Sequence, residues 1–366
     1  MRGCAQLNYA LIGCGRISLN HIAAALRCGF SIIALCDVNI EAAQKLKEQF
    51  DLKMAKIYDD YSHMIAAESI DVVSIATPSG CHAEIAVKCC EAKINVIIEK
   101  PIALSLYDAM EVNRAATKSG VLATVCHQNR YNKAVTKAKE LVDSGALGDL
   151  YCVSANVLWN RGEAYYSQSE WRGTWAQDGG VLMNQGIHNI DLLRWFVGEK
   201  IDYISSMISN AQHPYIEVED IGVAILRFYN GCLGTINCTS NVFPTNLEET
   251  LYILGSKGSI KLGGKSVNKI EELRVDGLQN TDAIIEEFSN IPPNVYGYGH
   301  FPLFENFRNA ILGKEKLYIQ LRDAIESLEL VLGIYKSAQE KNNVNFPIGE
   351  FSTLDMKGWN NGVQGN

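Results

Sequence analysis

Short apolar runs alternate with amphipathic stretches through the first third of the chain. Leu7 to Ile12, Ile32 to Cys36, Asp71 to Ala76, Asn95 to Ile98 and Val121 to Cys126 have the length and β-branched content of buried strands. Arg16 to Arg27, His82 to Ala92 and Ser105 to Ser119 separate them with helical spacing. Ser105 is placed to cap the last of these helices and Gly120 to stop it. Helices alternating with short buried strands predict a parallel, doubly wound sheet.

The pattern changes near Gly148. Tyr151, Val153, Ala155, Val157 and Trp159 alternate with Cys152, Ser154, Asn156 and Leu158, as in a half-buried antiparallel strand. Asp220 to Tyr229 and Cys232 to Val242 read as a hairpin across Asn230-Gly231. Glu249 to Leu254 and Ser259 to Leu262 add strands. Helical spacing returns over Phe301 to Leu312 and over Leu321 to about Lys341, and the second helix is expected to pack on the first domain. The fold class is α/β: a Rossmann-type doubly wound parallel sheet, then an α/β domain with a large, open, mostly antiparallel sheet. The expected domains are 1–127 for nucleotide binding, 128–345 for substrate and oligomerisation, and a tail over 346–366.

Composition narrows the function. The chain has 366 residues, a net charge of −8 and a pI near 5.5. No basic footprint points to a nucleic acid or an anionic membrane. The 11 cysteines are scattered without zinc-ligand spacing, as in a reduced compartment, so no metal is expected. There is no apolar signal core and no membrane-length apolar run, and the expectation is a cytoplasmic protein.

Chemistry enters at the strand ends. Gly13-Cys14-Gly15-Arg16-Ile17-Ser18 follows a strand and opens a helix, the context a dinucleotide fingerprint requires. Gly13 permits the tight turn, and Gly15 lets the backbone approach a pyrophosphate at the helix start, beside Arg16 and Ile17. Asp37 ends the next strand at the distance expected for a carboxylate on the adenosine ribose. No arginine follows it, which favours NAD over NADP. Thr77-Pro78, Glu99-Lys100-Pro101 and Gln128-Asn129-Arg130 stand at further strand ends, where open parallel sheets bind ligands. A cis bond is expected at Lys100-Pro101.

In the second half, residues 160–178 form a long insertion rich in Trp, Tyr and Arg, and such loops are usually functional. Gly179-Gly180 then leads into a helix on which Asn184 and His188, four apart, share a face, with Asp191 beyond.

These motifs, in this order, resemble the glucose–fructose oxidoreductase / inositol dehydrogenase (Gfo/Idh/MocA) family: Gly13-x-Gly15, Thr77-Pro78 with His82, Glu99-Lys100-Pro101, and Gly179-Gly180 leading to Gly186-x-His188-x-x-Asp191. The resemblance spans nearly the whole chain. It implies NAD(P)-dependent redox chemistry on sugars or cyclitols, with His82, Glu99 and Gln128 among the cofactor-site residues. It also implies homodimers or homotetramers packed through the open sheets. Trp171-Arg172-Gly173-Thr174-Trp175, Asn184-Gln185-Gly186-Ile187-His188 and Tyr296-Gly297-Tyr298-Gly299-His300 are similar to the branch that oxidises C3 of UDP-N-acetylglucosaminuronic acid for surface polysaccharides, some members of which regenerate NAD with 2-oxoglutarate. Many family members carry Asp where this chain has Asn184, which cannot act as a base.

The reaction so implied is oxidation of a secondary hydroxyl. Lys100 and His188 share the proton transfer, with His188 the favoured acceptor, and Asn184 holds a sugar hydroxyl. A partly buried lysine beside the nicotinamide cation is expected to lose its proton more readily. Glu99 would orient Lys100 or the ribose. Arg130, Arg161 and Arg172 would meet the anionic groups of a nucleotide-sugar acid, with Trp171 or Tyr165 flanking the uracil or the sugar. The aromatic loop fits an oligomer interface as well. One alternative is a dehydrogenase of a free sugar or inositol. Another is a non-catalytic NAD-binding redox sensor, which would have no need of both Lys100 and His188.

Overall fold

Residues 6–290 and 297–359 are described in this computed structural model. In chain order the first elements are β1 Asn8–Ile12, α1 Ser18–Arg27, β2 Ser31–Cys36, α2 Ile40–Gln49, β3 Lys56–Tyr58, α3 Tyr61–Ala67, β4 Val72–Ile75, α4 His82–Glu91, β5 Asn95–Ile98, α5 Leu106–Ser119 and β6 Ala123–Val125. Then come α6 Lys133–Asp143, β7 Leu150–Leu158, α7 Glu163–Tyr166, α8 Ile187–Val197, β8 Ile201–Ser209, β9 Ile221–Phe228 and β10 Leu233–Thr239. The last are β11 Glu248–Gly255, β12 Gly258–Gly263, β13 Lys269–Val275, α9 Thr281–Phe288, α10 His300–Ile311, α11 Leu321–Glu340 and β14 Val344–Asn345. No helix among the described residues is long and apolar enough to cross a membrane.

The chain divides into two units. One takes the chain up to Ala103, Tyr107–Cys126 and His300–Ile325; the other takes Leu104–Leu106, His127–Gly299 and the chain from Glu326 on. The first is a parallel sheet in the order β3-β2-β1-β4-β5-β6, the Rossmann arrangement. Its registers align Ile12 with Ile75, Ile75 with Ile98 and Ile98 with Val125. Gly13, Thr77, Glu99-Lys100 and Cys126 therefore follow strand ends along one edge. The Lys100–Pro101 peptide is cis.

The sequence reading passed over α2, which is amphipathic but short. Its Asn39 cap accepts the backbone N–H groups of Glu41 and Ala42. A larger difference concerns the chain's return to the first unit. That return is made by α10, whose Leu303, Phe304 and Phe307 are buried, with Arg27 of α1 over Phe301 at 3.7 Å and Phe304 against Tyr9. The helix over Leu321–Glu340, expected to play this part, takes most of its partners within the second unit: Ser327 donates to Asp191, Tyr335 to Glu219, and Ile334 accepts from Ser206.

The second unit holds an eight-stranded sheet in the order β13-β12-β11-β7-β10-β9-β8-β14. Only the β7–β10 pair is parallel. The β9–β10 connection is not the two-residue turn that Asn230-Gly231 suggests. Gly231 N–H bonds the Phe228 carbonyl, and Gly231 alone takes a positive φ, 88°. This is a tight turn followed by a left-handed glycine, with the Asn230 side chain accepting from Cys232 N–H. Along β9, Gly222, Ala224, Leu226 and Phe228 face the covered side, whereas Val223 and Ile225 stay 47% and 59% exposed. Met207 and Leu233 extend that apolar face.

A buried ion pair organises the covered side. Arg130, which follows β6, is 1% exposed and forks onto Asp191 of α8, Nε to Oδ2 at 2.8 Å and Nη2 to Oδ1 at 2.6 Å. Ser327 adds a bond to Oδ1 at 2.6 Å. Burial alone would raise the Asp191 carboxyl, but the Arg130 charge and the nearby His127 hold it well below the usual carboxylate range. Arg130→Met therefore leaves a buried, unpaired carboxylate and should cost roughly 3–5 kcal/mol in urea unfolding, whereas Arg130→Met with Asp191→Leu should cost clearly less. Because the folded carboxyl titrates below the unfolded one, this contribution should be present above about pH 4 and fade as pH falls further.

Candidate active site

The first unit carries the candidate nucleotide-binding residues. Gly13 has φ +93°, and a Cβ there would stand 2.5 Å from the backbone of Ala76, so only glycine fits. A Cβ on Gly15 would meet nothing within 4 Å, which leaves the open cradle a pyrophosphate needs. Gly15 and Arg16 are exposed, and α1 starts without a side-chain cap. Asp37 accepts Cys14 N–H at 2.7 Å and Asn39 N–H at 2.8 Å, which fixes the carboxylate at the end of β2. Carboxylate, open glycine and uncapped helix fit NAD. A 2′-phosphate would meet the negative charge of Asp37.

Not every predicted cofactor residue can touch the cofactor. His82 is 1% exposed, and both ring nitrogens face backbone carbonyls, Nδ1 to Pro101 O at 2.7 Å and Nε2 to Thr77 O at 3.0 Å. It clamps the ends of β4 and β5 together and acts on the site by shaping Thr77 and Pro101. Glu99 is likewise buried and bonds to His21. Thr77, Pro78 and Lys100 are partly exposed at the strand ends. Gln128, in the second unit, is buried, and a Cβ on Gly299 would stand 2.0 Å from its carbonyl oxygen, which explains the glycine. Tyr296 of the same motif lies outside the described residues, as do 360–366 of the tail.

The second unit carries the candidate substrate residues. A π-helical turn, Leu182–Gly186, precedes α8. Its wider winding means that Asn184 and His188 do not stack as they would on a regular helix. Asn184 donates its side-chain amide to Asp178, which also accepts Gly173 N–H at 2.8 Å. His188 is half-buried, its ring edge-on to His127 at 6.4 Å, and His127 Nδ1 lies 3.7 Å from Asp191. Arg130, placed among the substrate residues on sequence, is spent on Asp191 and leaves that set. Position relative to a strand end could not reveal a buried acid beneath it.

Arg161 and Arg172 are half-buried and held around one phenol. Arg172 lies over the Tyr165 ring at 4.4 Å and over Trp171 at 4.6 Å, and its Nη1 donates to the Tyr165 hydroxyl at 2.6 Å. Arg161 lies over Trp159 at 4.5 Å and Tyr165 at 5.4 Å. Gln185 donates to the same hydroxyl at 3.2 Å. Flat guanidiniums stacked on rings turn their N–H edges, not their faces, toward an anion. Trp175, by contrast, is 2% exposed and packs edge-on against Tyr335, so the loop's two tryptophans divide between site and core.

Glu219 is a residue the sequence reading missed. It lies against Gly180, where a Cβ would stand 1.8 Å from its carboxyl, and Oε1 accepts Leu182 N–H and Tyr335 O–H, both at 3.0 Å. It thus braces the segment that carries Asn184 and His188. Burial pushes this carboxyl up to about 8 against those two hydrogen bonds, so it is a neutral acid near neutrality. Among Glu217, Glu219 and Asp220, nothing in the sequence separates the two buried acids from the exposed Glu217. The one hint is Gly180, whose missing Cβ leaves room for a large group opposite.

Comparison with known proteins shows the family of the chain. Residues 7–127 match the model of an oxidoreductase family with an NAD-binding Rossmann fold, and residues 135–261 match the GFO/IDH/MocA C-terminal domain. Among solved structures, the WlbA dehydrogenase from Bordetella pertussis in complex with NADH and UDP-GlcNAcA is similar at 34% identity and TM-score 0.87, covering 93% of this chain and 98% of that one. WlbA from Chromobacterium violaceum, with the same ligands, is similar at 32% identity and TM-score 0.87, covering 94% and 97%. Myo-inositol 2-dehydrogenase of Thermotoga maritima is 26% identical over 69% of this chain and 74% of its own.

Because the folded Glu219 holds a proton that its unfolded counterpart releases from about pH 4.5, stability should fall as pH rises from about 4.5 to 8 and level off above. Glu219→Gln should flatten that slope, on the order of 1 kcal/mol per pH unit. Urea unfolding of both proteins at pH 5 and pH 8 measures it.

Proposed function

Since the chain belongs to the GFO/IDH/MocA oxidoreductase family and is an NAD-dependent enzyme acting on sugar or polyol hydroxyls, we propose that its substrate is a nucleotide-sugar acid, with oxidation at C3 of UDP-N-acetylglucosaminuronic acid. The observation that carries this reading is the pair of guanidiniums, Arg161 and Arg172, both held at the Tyr165 ring. A free sugar or inositol offers them no anion. A carboxylate or diphosphate does, and forked pairing is what arginine does best. The likeness to WlbA structures that hold UDP-GlcNAcA supports the same class. A place in surface-polysaccharide synthesis, inside the cell, follows from that substrate.

When bound, NAD supplies the hydride acceptor. His188 takes the proton of the sugar hydroxyl, with Lys100 sharing the transfer and stabilising the alkoxide as it forms. Such proton transfer is worth about 10²–10⁴ in rate. Asn184, anchored on Asp178, offers its amide oxygen to a neighbouring sugar hydroxyl and takes no proton. Trp171 flanks a ring of the substrate and is itself held by Arg172.

The test is NADH formation with a panel of UDP-N-acetylglucosaminuronic acid, UDP-glucose, glucose and myo-inositol. Each is run with and without 2-oxoglutarate, and products are followed by mass spectrometry because in-place recycling would hide NADH. Turnover of the UDP-acid is expected, reduced about 10²–10⁴-fold in Lys100→Ala and in His188→Ala. Turnover of free sugars alone would replace the substrate. NAD binding without any turnover would favour the sensor.

The exposed apolar face of Val223, Ile225, Met207 and Leu233 supports a homo-oligomer formed by these open sheets. Ile225→Lys is expected to lower the mass measured by sedimentation from dimer or tetramer toward monomer. An unchanged mass would move the interface elsewhere.

A further inference from the structure

Four buried side chains from four elements meet beneath the residue before Lys100. Glu99 ends β5 and is 7% exposed. His21 of α1, fully buried, places Nε2 at 2.8 Å from Glu99 Oε1. His300, the first residue of α10, places Nε2 at 3.5 Å from the same oxygen and is 5% exposed. Cys126, just after β6, completes the group. The other carboxylate oxygen, Oε2, accepts the backbone N–H of Lys100 at 3.2 Å. Phe304 stands edge-on to the His21 ring at 5.4 Å and closes the side toward α10.

The donor set is one a zinc ion would accept, two imidazoles, a thiol and a carboxylate. Two facts argue against it. Ligands of one tetrahedral ion at about 2.0–2.2 Å stand roughly 3.3 Å apart, and 2.8 Å is instead a hydrogen-bond distance. Metal-bound imidazoles also use their second nitrogen in an outer shell, while Nδ1 of both His21 and His300 has no hydrogen-bond partner.

We infer that His21 and His300 are positioning residues for proton transfer, holding Glu99 as a buried anion that in turn fixes the backbone at Lys100. This rests on the assignment of Lys100 above. The charges agree with it. Burial lowers His21, so its ring is neutral, and bonding to the carboxylate puts its one hydrogen on Nε2. Burial alone would raise Glu99, yet His21 and, at longer range, His300 hold it well below the ordinary range. The Cys126 thiol, pushed well up by burial and by the Glu99 charge, keeps its hydrogen. The charged or titratable groups facing Glu99 are thus His21 from α1, His300 from α10, Cys126 after β6 and Lys100 beside it, with His82 of α4 within range of its charge. The segment opening α10 lies far beyond Glu99 in sequence, and this contact gives the helix a reason to return to the nucleotide-binding unit.

Two measurements test it on the full chain. In enzyme labelled with ¹⁵N-histidine, long-range ¹H–¹⁵N correlation should show His21 as the neutral Nε2–H form down to pH 5, and Glu99→Gln should change that signal. This needs no substrate, so it separates failure of the network from failure of the proposed reaction. In turnover, His21→Leu and His300→Leu should lower kcat at least tenfold and move the acid limb of the kcat/KM profile up by at least one pH unit, because Glu99 must then lose a proton to act. His21→Gln, whose amide replaces the Nε2–H donor, should restore most of both, and His300→Gln, which keeps a polar group facing Glu99, should do better than His300→Leu. If the leucine variants do not fold, the glutamine variants and the wild-type spectrum decide. A charged or Nδ1–H His21, a pH profile unmoved in the leucine variants, or one zinc per chain lost in His21→Leu would overturn the inference.

Discussion

A carboxylate removed from water costs several kcal/mol unless donors replace its hydration, and this constraint shapes both units. In the first, Glu99 meets His21 and the backbone N–H of Lys100. In the second, Asp191 meets Arg130 and Ser327. Each acid lies next to, or one turn beyond, a residue assigned to proton transfer. Meeting these acids brings together α1 and α10 in one unit and the segment after β6, α8 and α11 in the other. The elements that look peripheral in sequence are therefore the ones that hold the chemistry rigid.

The same constraint resolves oppositely at Glu219. Its two donors, Leu182 N–H and Tyr335 O–H, are neutral. Burial wins, and the group stays protonated near neutrality. Asp191 has two bonds from a guanidinium, and burial loses. Charge on the donor, more than the number of hydrogen bonds, separates a structural anion from a structural acid.

What the sequence disclosed follows from how local the signal is. The β–α alternation, the Gly13-x-Gly15 turn with Asp37, and the lysine at a strand end are all written in short stretches. The parallel, doubly wound sheet was legible for that reason. The antiparallel sheet was legible where side chains alternate, and its tight turn was misjudged because the same Asn-Gly pair serves two turn geometries that differ in one φ. Partners far apart in sequence were not legible. Arg130 read as an anion receptor because Asp191 is 61 residues away. His300 read as part of a loop motif, and only the fold shows it against Glu99.

Net charge and local charge also part company here. A chain of net charge −8 repels an anionic substrate at long range. Within a Debye length, about 8 Å at physiological salt, the local arrangement governs. Arg161 and Arg172 both lie at the Tyr165 ring, which serves Arg172 as stacking surface and hydrogen-bond acceptor at once. In the proposed reaction the anionic groups of a nucleotide-sugar acid would pair with these two guanidiniums, and a neutral sugar would not. Selection for a charged substrate would then rest on arginines already oriented by aromatic rings, against the sign of the chain's net charge.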